Sequence, residues 1–85
     1  MCRNITTLRG LEPPATTEEI EAAARQYVRK VSGVTRPSAA NVDVFEAAVA
    51  EIAAASDRLL GALGVEVEEG PNRWTPGSGT ARARA

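Results

Sequence analysis

The chain has 85 residues, no histidine, one cysteine and a formal net charge of -1. That length holds one domain, and a core drawn mostly from alanine and valine with 4% aromatics is marginal on its own. A single cysteine forms no internal disulfide, and without histidine it cannot build a conventional structural zinc site, so oligomerisation is the simplest supplement.

The near-neutral charge gives no general argument for nucleic acid or an anionic membrane. No apolar run approaches the roughly 18–20 residues that span a bilayer. The N-terminus lacks the apolar region of a signal peptide. With an unpaired cysteine, these features predict a soluble cytoplasmic protein.

The first segment, residues 1–15, reads as an irregular arm. Ile5, Leu8 and Leu11 recur every three residues, while Gly10 and Pro13-Pro14 break any longer element. The spacing predicts that these three side chains dock on the helices.

"TTEEIEAAARQYVRKVSG" then carries a full set of helix signals. Thr16 and Glu19 form a capping box, in which hydroxyl and carboxylate each satisfy a backbone donor. Glu18, Glu19 and Glu21 at the start and Arg29 and Lys30 at the end match the helix dipole. Gly33 suits a left-handed terminating residue. A helix is predicted over Thr17–Ser32, with Ile20, Ala24, Tyr27 and Val31 as its apolar face.

In the link "GVTRPS", Pro37 disfavours helix at Arg36, and Ser38 is a good N-cap. A second helix is predicted to follow Ser38 and stop at Gly64. Val42, Phe45, Val49, Ile52, Ser56, Leu59 and Leu63 alternate in steps of three and four, a heptad-type seam with one polar member. Ala48, Ala53 and Ala55 flank it and permit close helix approach.

Beyond Leu63 the pattern ends. "VEVEE" could add a short strand, but no second strand is evident, and residues 65–85 read as a flexible, disordered tail with Trp74 as its large apolar residue. The expected fold is all-α: a docked arm (1–15), an antiparallel two-helix hairpin (16–64) and the tail. Pairing two hairpins would give a four-helix bundle, and the arm covering the seam of a monomer is the alternative.

Without histidine there is no Ser-His or Cys-His pair, and no catalytic residue is assigned. Cys2 is the sharpest chemical candidate. If Met1 is removed, one residue carries both a free amine and a thiol, which can chelate a soft metal or attack an electrophile. Burial as a small hydrophobe is the competing reading. No cofactor is indicated. The second candidate is the inter-helix elbow, where Arg29, Lys30, Arg36 and Ser38 could bind an anion: phosphate, a nucleotide or a nucleic-acid backbone. Helix dipole complementarity explains the same basic residues. Helix two is too apolar for a DNA groove, which argues against nucleic acid. The third candidate is the surface of helix two, serving self-association or a protein partner. A non-enzymatic interaction or assembly module is therefore the leading expectation, with a Cys2 thiol or metal function and elbow anion binding as alternatives.

"MCRNI", "EPPATTEEIEAAARQYVRKVSG" and "RPSAANVDVFEAAVAEIA" together resemble a family of small bacterial proteins catalogued as a domain of unknown function. The resemblance covers about residues 1–63. It implies an all-helical domain without an assigned activity, and it singles out Cys2, Arg3, Arg29, Lys30, Gly33, Pro37, Ser38 and Asn41. Class II amidotransferases also begin with Met-Cys, but their catalytic domain is far larger than this chain.

Overall fold

The computed structural model describes residues 5–12, 14–71 and 83–84. Its elements are β1 (Leu11–Glu12), β2 (Ala15–Thr16), α1 (Thr17–Ser32), α2 (Val42–Ala62), β3 (Val67–Glu68) and β4 (Ala83–Arg84). The two helices form an antiparallel hairpin, as expected, but two short ladders supplement it. β1 pairs antiparallel with β4, and β2 pairs parallel with β3.

α1 begins where its capping box places it. The Glu19 N–H donates to Thr16 Oγ1 at 3.2 Å, and the Thr16 N–H donates to Glu19 Oε1 at 3.0 Å. Both residues are buried. Gly33 ends the helix at φ 73°, a left-handed conformation, and its N–H reaches the Arg29 carbonyl at 2.9 Å. A side chain there would strain the backbone by roughly 1–2 kcal/mol.

α2 starts later than Ser38 suggests. Ser38 contributes a backbone turn instead of a side-chain cap: its carbonyl accepts from the N–H groups of Asn41 and Val42, both at 2.9 Å. The helix proper opens at Val42, and Asn41 at the N-cap position makes no side-chain bond to it. At the other end, Gly64 adopts φ 81°. The Val65 N–H donates to the Leu60 carbonyl and the Gly64 N–H to the Gly61 carbonyl, the paired bonds of a Schellman motif.

Ala24, Val28, Phe45 and Val49 make the core, with Val34, Ala48, Ile52 and Ala53 packed against it. Burial of each larger member contributes roughly 1.5–3 kcal/mol, so the core is thin. The buried line on α1 is Ile20, Ala24 and Val28. Tyr27 and Val31, expected on that face, are 48% and 68% exposed. The buried residues of α1 recur every four positions, a ridge that the alternating spacing does not reveal. On α2, Phe45 and Val49 are buried, but Leu59 and Leu63 are 59% and 51% exposed. The polar seam member Ser56 is satisfied within its own helix, donating to the Ile52 carbonyl at 2.8 Å.

On one flank of the hairpin Arg25 clamps Glu46 through two hydrogen bonds, Nη1 to Oε2 at 2.5 Å and Nη2 to Oε1 at 2.9 Å. This fork geometry fixes the helices' register more firmly than a single contact would. The Arg25 hydrogen bond holds the Glu46 carboxyl below its ordinary value, and the Glu46 bond raises the Arg25 guanidinium.

The segment after α2 is not a tail from residue 65 onward. Val67–Glu68 aligns with Ala15–Thr16, Thr16 Oγ1 donates to the Pro71 carbonyl at 2.9 Å, and the Glu18 N–H donates to the Gly70 carbonyl at 3.4 Å. The partner that the sequence left unidentified for "VEVEE" is thus the residue pair preceding α1. Of the arm residues expected to dock, Ile5 is 40% exposed and Leu8 is half-buried. Pro13, Trp74 and the remainder of 72–82 lie outside the described residues.

Thr16→Val removes both the cap acceptor and the donor to Pro71, and is expected to lower unfolding free energy by about 1–3 kcal/mol in urea denaturation. Because the folded Glu46 carboxyl lies below its ordinary 4.5, the Arg25 pair stabilises the fold above that pH and its contribution fades as pH falls further. Thermal melts of wild type and Glu46→Gln should therefore differ at pH 7 and converge on acidification below about 4.5.

Candidate functional site

The elbow between α1 and α2 is built by three backbone devices in succession. Gly33 turns the chain out of α1. The Val34 N–H then donates to Ser32 Oγ at 3.1 Å, folding the link back on the helix end. The Ser38 carbonyl gathers the first N–H groups of α2. Together they hold Val34 and Pro37 over the gap between the helices.

That gap is a cleft of about 250 Å³, open to solvent on one side. Val28 from α1, Val34 and Pro37 from the link, and Val44, Phe45 and Ala48 from α2 form its apolar lining. Ser32 and Asn41 supply its polar groups. Phe45 and Val28 are also core residues, so the cleft floor is continuous with the packed interior. None of the lining side chains titrates near neutral pH. The arrangement can bind an apolar group and orient it with hydrogen bonds, but it offers no general acid, base or nucleophile of the usual kinds.

The basic residues singled out at the elbow, Arg29, Lys30 and Arg36, are all exposed, as is Ser38. Arg29 and Lys30 leave adjacent helix positions, so their side chains diverge by about 100°. Arg29 acts toward Glu46, where its charge helps to lower the carboxyl. Ser38 engages through its carbonyl, an acceptor, which removes its expected role as a cap. Arg36 lies in the link between two residues of the cleft wall, Val34 and Pro37. Cys2 and Arg3 lie outside the described residues. Among the described residues no cluster of three metal-ligating side chains occurs. No described helix is long and apolar enough to cross a membrane.

The cleft was not anticipated from the sequence, although two signals for it are present. Val34 is the one large aliphatic residue of the link, and Val44 is apolar but outside the α2 seam. Both are wall residues. A second, shallower recess of about 220 Å³ lies near the start of α1, against Thr17, Glu21 and Asp57.

No curated protein and no solved structure matches the chain. A family model does, over residues 1–78. The match extends past residue 63, where the recognised sequence motifs end, and takes in the segment that returns to the start of α1. With a match across that span, the chain belongs to the DUF2277 family, described as uncharacterized conserved proteins.

Proposed function

We propose that the protein is a non-enzymatic interaction module that pairs with a second copy through the uncovered end of α2. One observation carries this reading. α2 has 21 residues and α1 has 16, and Leu59 and Leu63 at the far end of α2 are more than half exposed. They continue the seam that Phe45 and Val49 begin, so an apolar stripe runs off the end of its intramolecular partner.

A second copy related by a two-fold axis would lay the same stripe against itself, as an isologous interface requires. Ala55, one turn before Leu59 on the same face, is small and exposed and allows close approach. The thin core supplies the thermodynamic motive, because each leucine removed from water adds roughly 1.5–3 kcal/mol to a marginal fold. A single unpaired cysteine is compatible with a reducing compartment, and the cytoplasm is the location we propose.

Sedimentation equilibrium of the full chain should report a dimer at micromolar concentration. Leu59→Glu with Leu63→Glu should give a monomer with unchanged helical circular dichroism. A wild-type chain that stays monomeric at several hundred micromolar would overturn the reading.

A further inference from the structure

Two opposite charges on α2 stand apart from the hairpin. Glu51 and Arg58 are both exposed, and seven helical positions put them on one side of α2, roughly 10 Å apart along its axis. Every position three or four residues from either one holds alanine or glycine, so neither has a charged neighbour along the helix. Neither pairs with another described residue, and the described ion pair joins Arg25 to Glu46.

These charges edge an apolar strip. Around the α2 axis, Val44 and Ala62 fall within about 20° of Ala55, and Leu59 lies about 40° to the side nearer α1. Glu51 and Arg58 lie about 40° and 60° to the other side. Phe45 and Val49, the residues that α2 gives to the core, are about 80° and 120° from Ala55. The strip therefore faces away from α1, and Val44, Ala55, Leu59 and Ala62 are exposed on it.

A two-fold axis pairs such a strip with itself in two ways. With the axis parallel to α2, the charged edge of each copy lies along the Leu59 edge of the other, and both charges meet apolar surface. With the axis perpendicular to α2, the helices run antiparallel and the two charged edges meet. Glu51 and Arg58 have their midpoint at the level of Ala55, so an axis there sets each Glu51 opposite Arg58 of the other copy. Leu63 then reaches the level of Ala47 of the other copy, where Val44 supplies apolar surface.

We infer that two copies pair antiparallel along α2 about an axis at Ala55, with Glu51 of each copy bridged to Arg58 of the other. The inference rests on the self-association proposed above and adds its orientation, its register and the charge match that selects a second copy of this chain.

Sedimentation equilibrium of the full chain and its variants is the test. Glu51→Arg and Arg58→Glu, both exposed substitutions, should each weaken dimerisation at least tenfold, because each sets like charges across the axis. The chain carrying both changes should return to within threefold of wild type. Equimolar mixing of the two single variants should give more heterodimer than either homodimer. In a Cys2→Ser background, Ala55→Cys should oxidise to a covalent dimer, and Ala50→Cys, about 140° round the helix, should not. Wild-type dimer affinity in both single variants would overturn this inference and leave self-association standing. A covalent dimer from Ala50→Cys and none from Ala55→Cys would do the same. A monomeric wild type would remove both readings.

Discussion

The structure depends on Thr16. Its backbone N–H is held by Glu19, its hydroxyl oxygen accepts from the first turn of α1, and its hydroxyl proton goes to the carbonyl of Pro71. The same residue aligns with Glu68 in the parallel ladder. One buried threonine thus starts a helix, joins the arm to the returning segment and leaves no polar atom of its side chain without a partner. An amphipathic hairpin with so few large core residues needs such a fixed point, because apolar burial alone does not define how the chain closes over it.

The two ends of the hairpin differ in physical character. At the α1 start, the backbone of residues 67–71 covers the helix terminus with hydrogen bonds. At the elbow, Gly33, Ser32 and Ser38 use hydrogen bonds to turn the chain, and the space between the helices is left to apolar walls. The bidentate Arg25–Glu46 pair stands between these ends on the hairpin flank. It holds the register of α1 against α2 while the cleft stays open beside it.

Local signals were legible and long-range ones were not. The Thr16–Glu19 box and Gly33 gave α1 its bounds, because capping is decided within a few residues. Gly64 marked the end of α2 for the same reason. Ser38 misled, since a good capping side chain is equally at home in the turn that precedes a helix. Tyr27 and Val31 misled because periodicity identifies an apolar side of a helix but not the ridge along which a neighbour crosses. The partner of Val67–Glu68 was hidden by distance along the chain. The cleft was invisible because its wall is assembled from α1, the link and α2, which no single segment encodes. Cys2, the sharpest chemical candidate in the sequence, lies outside the described residues.

The bond from Thr16 to Pro71 closes a span of 55 residues in a chain of 85. The hairpin's own contacts are far more local, so the loop-closure entropy for this bond is met only after the helices can meet each other. Folding consequently acquires an order in time. The expected order is docking of the helices around Val28, Phe45 and Val49 first, with the returning segment latching afterwards. A nascent chain that has not yet extended past residue 71 would carry an assembled hairpin with an unlatched N-terminal arm, and that interval is when its apolar surface is most open to other molecules.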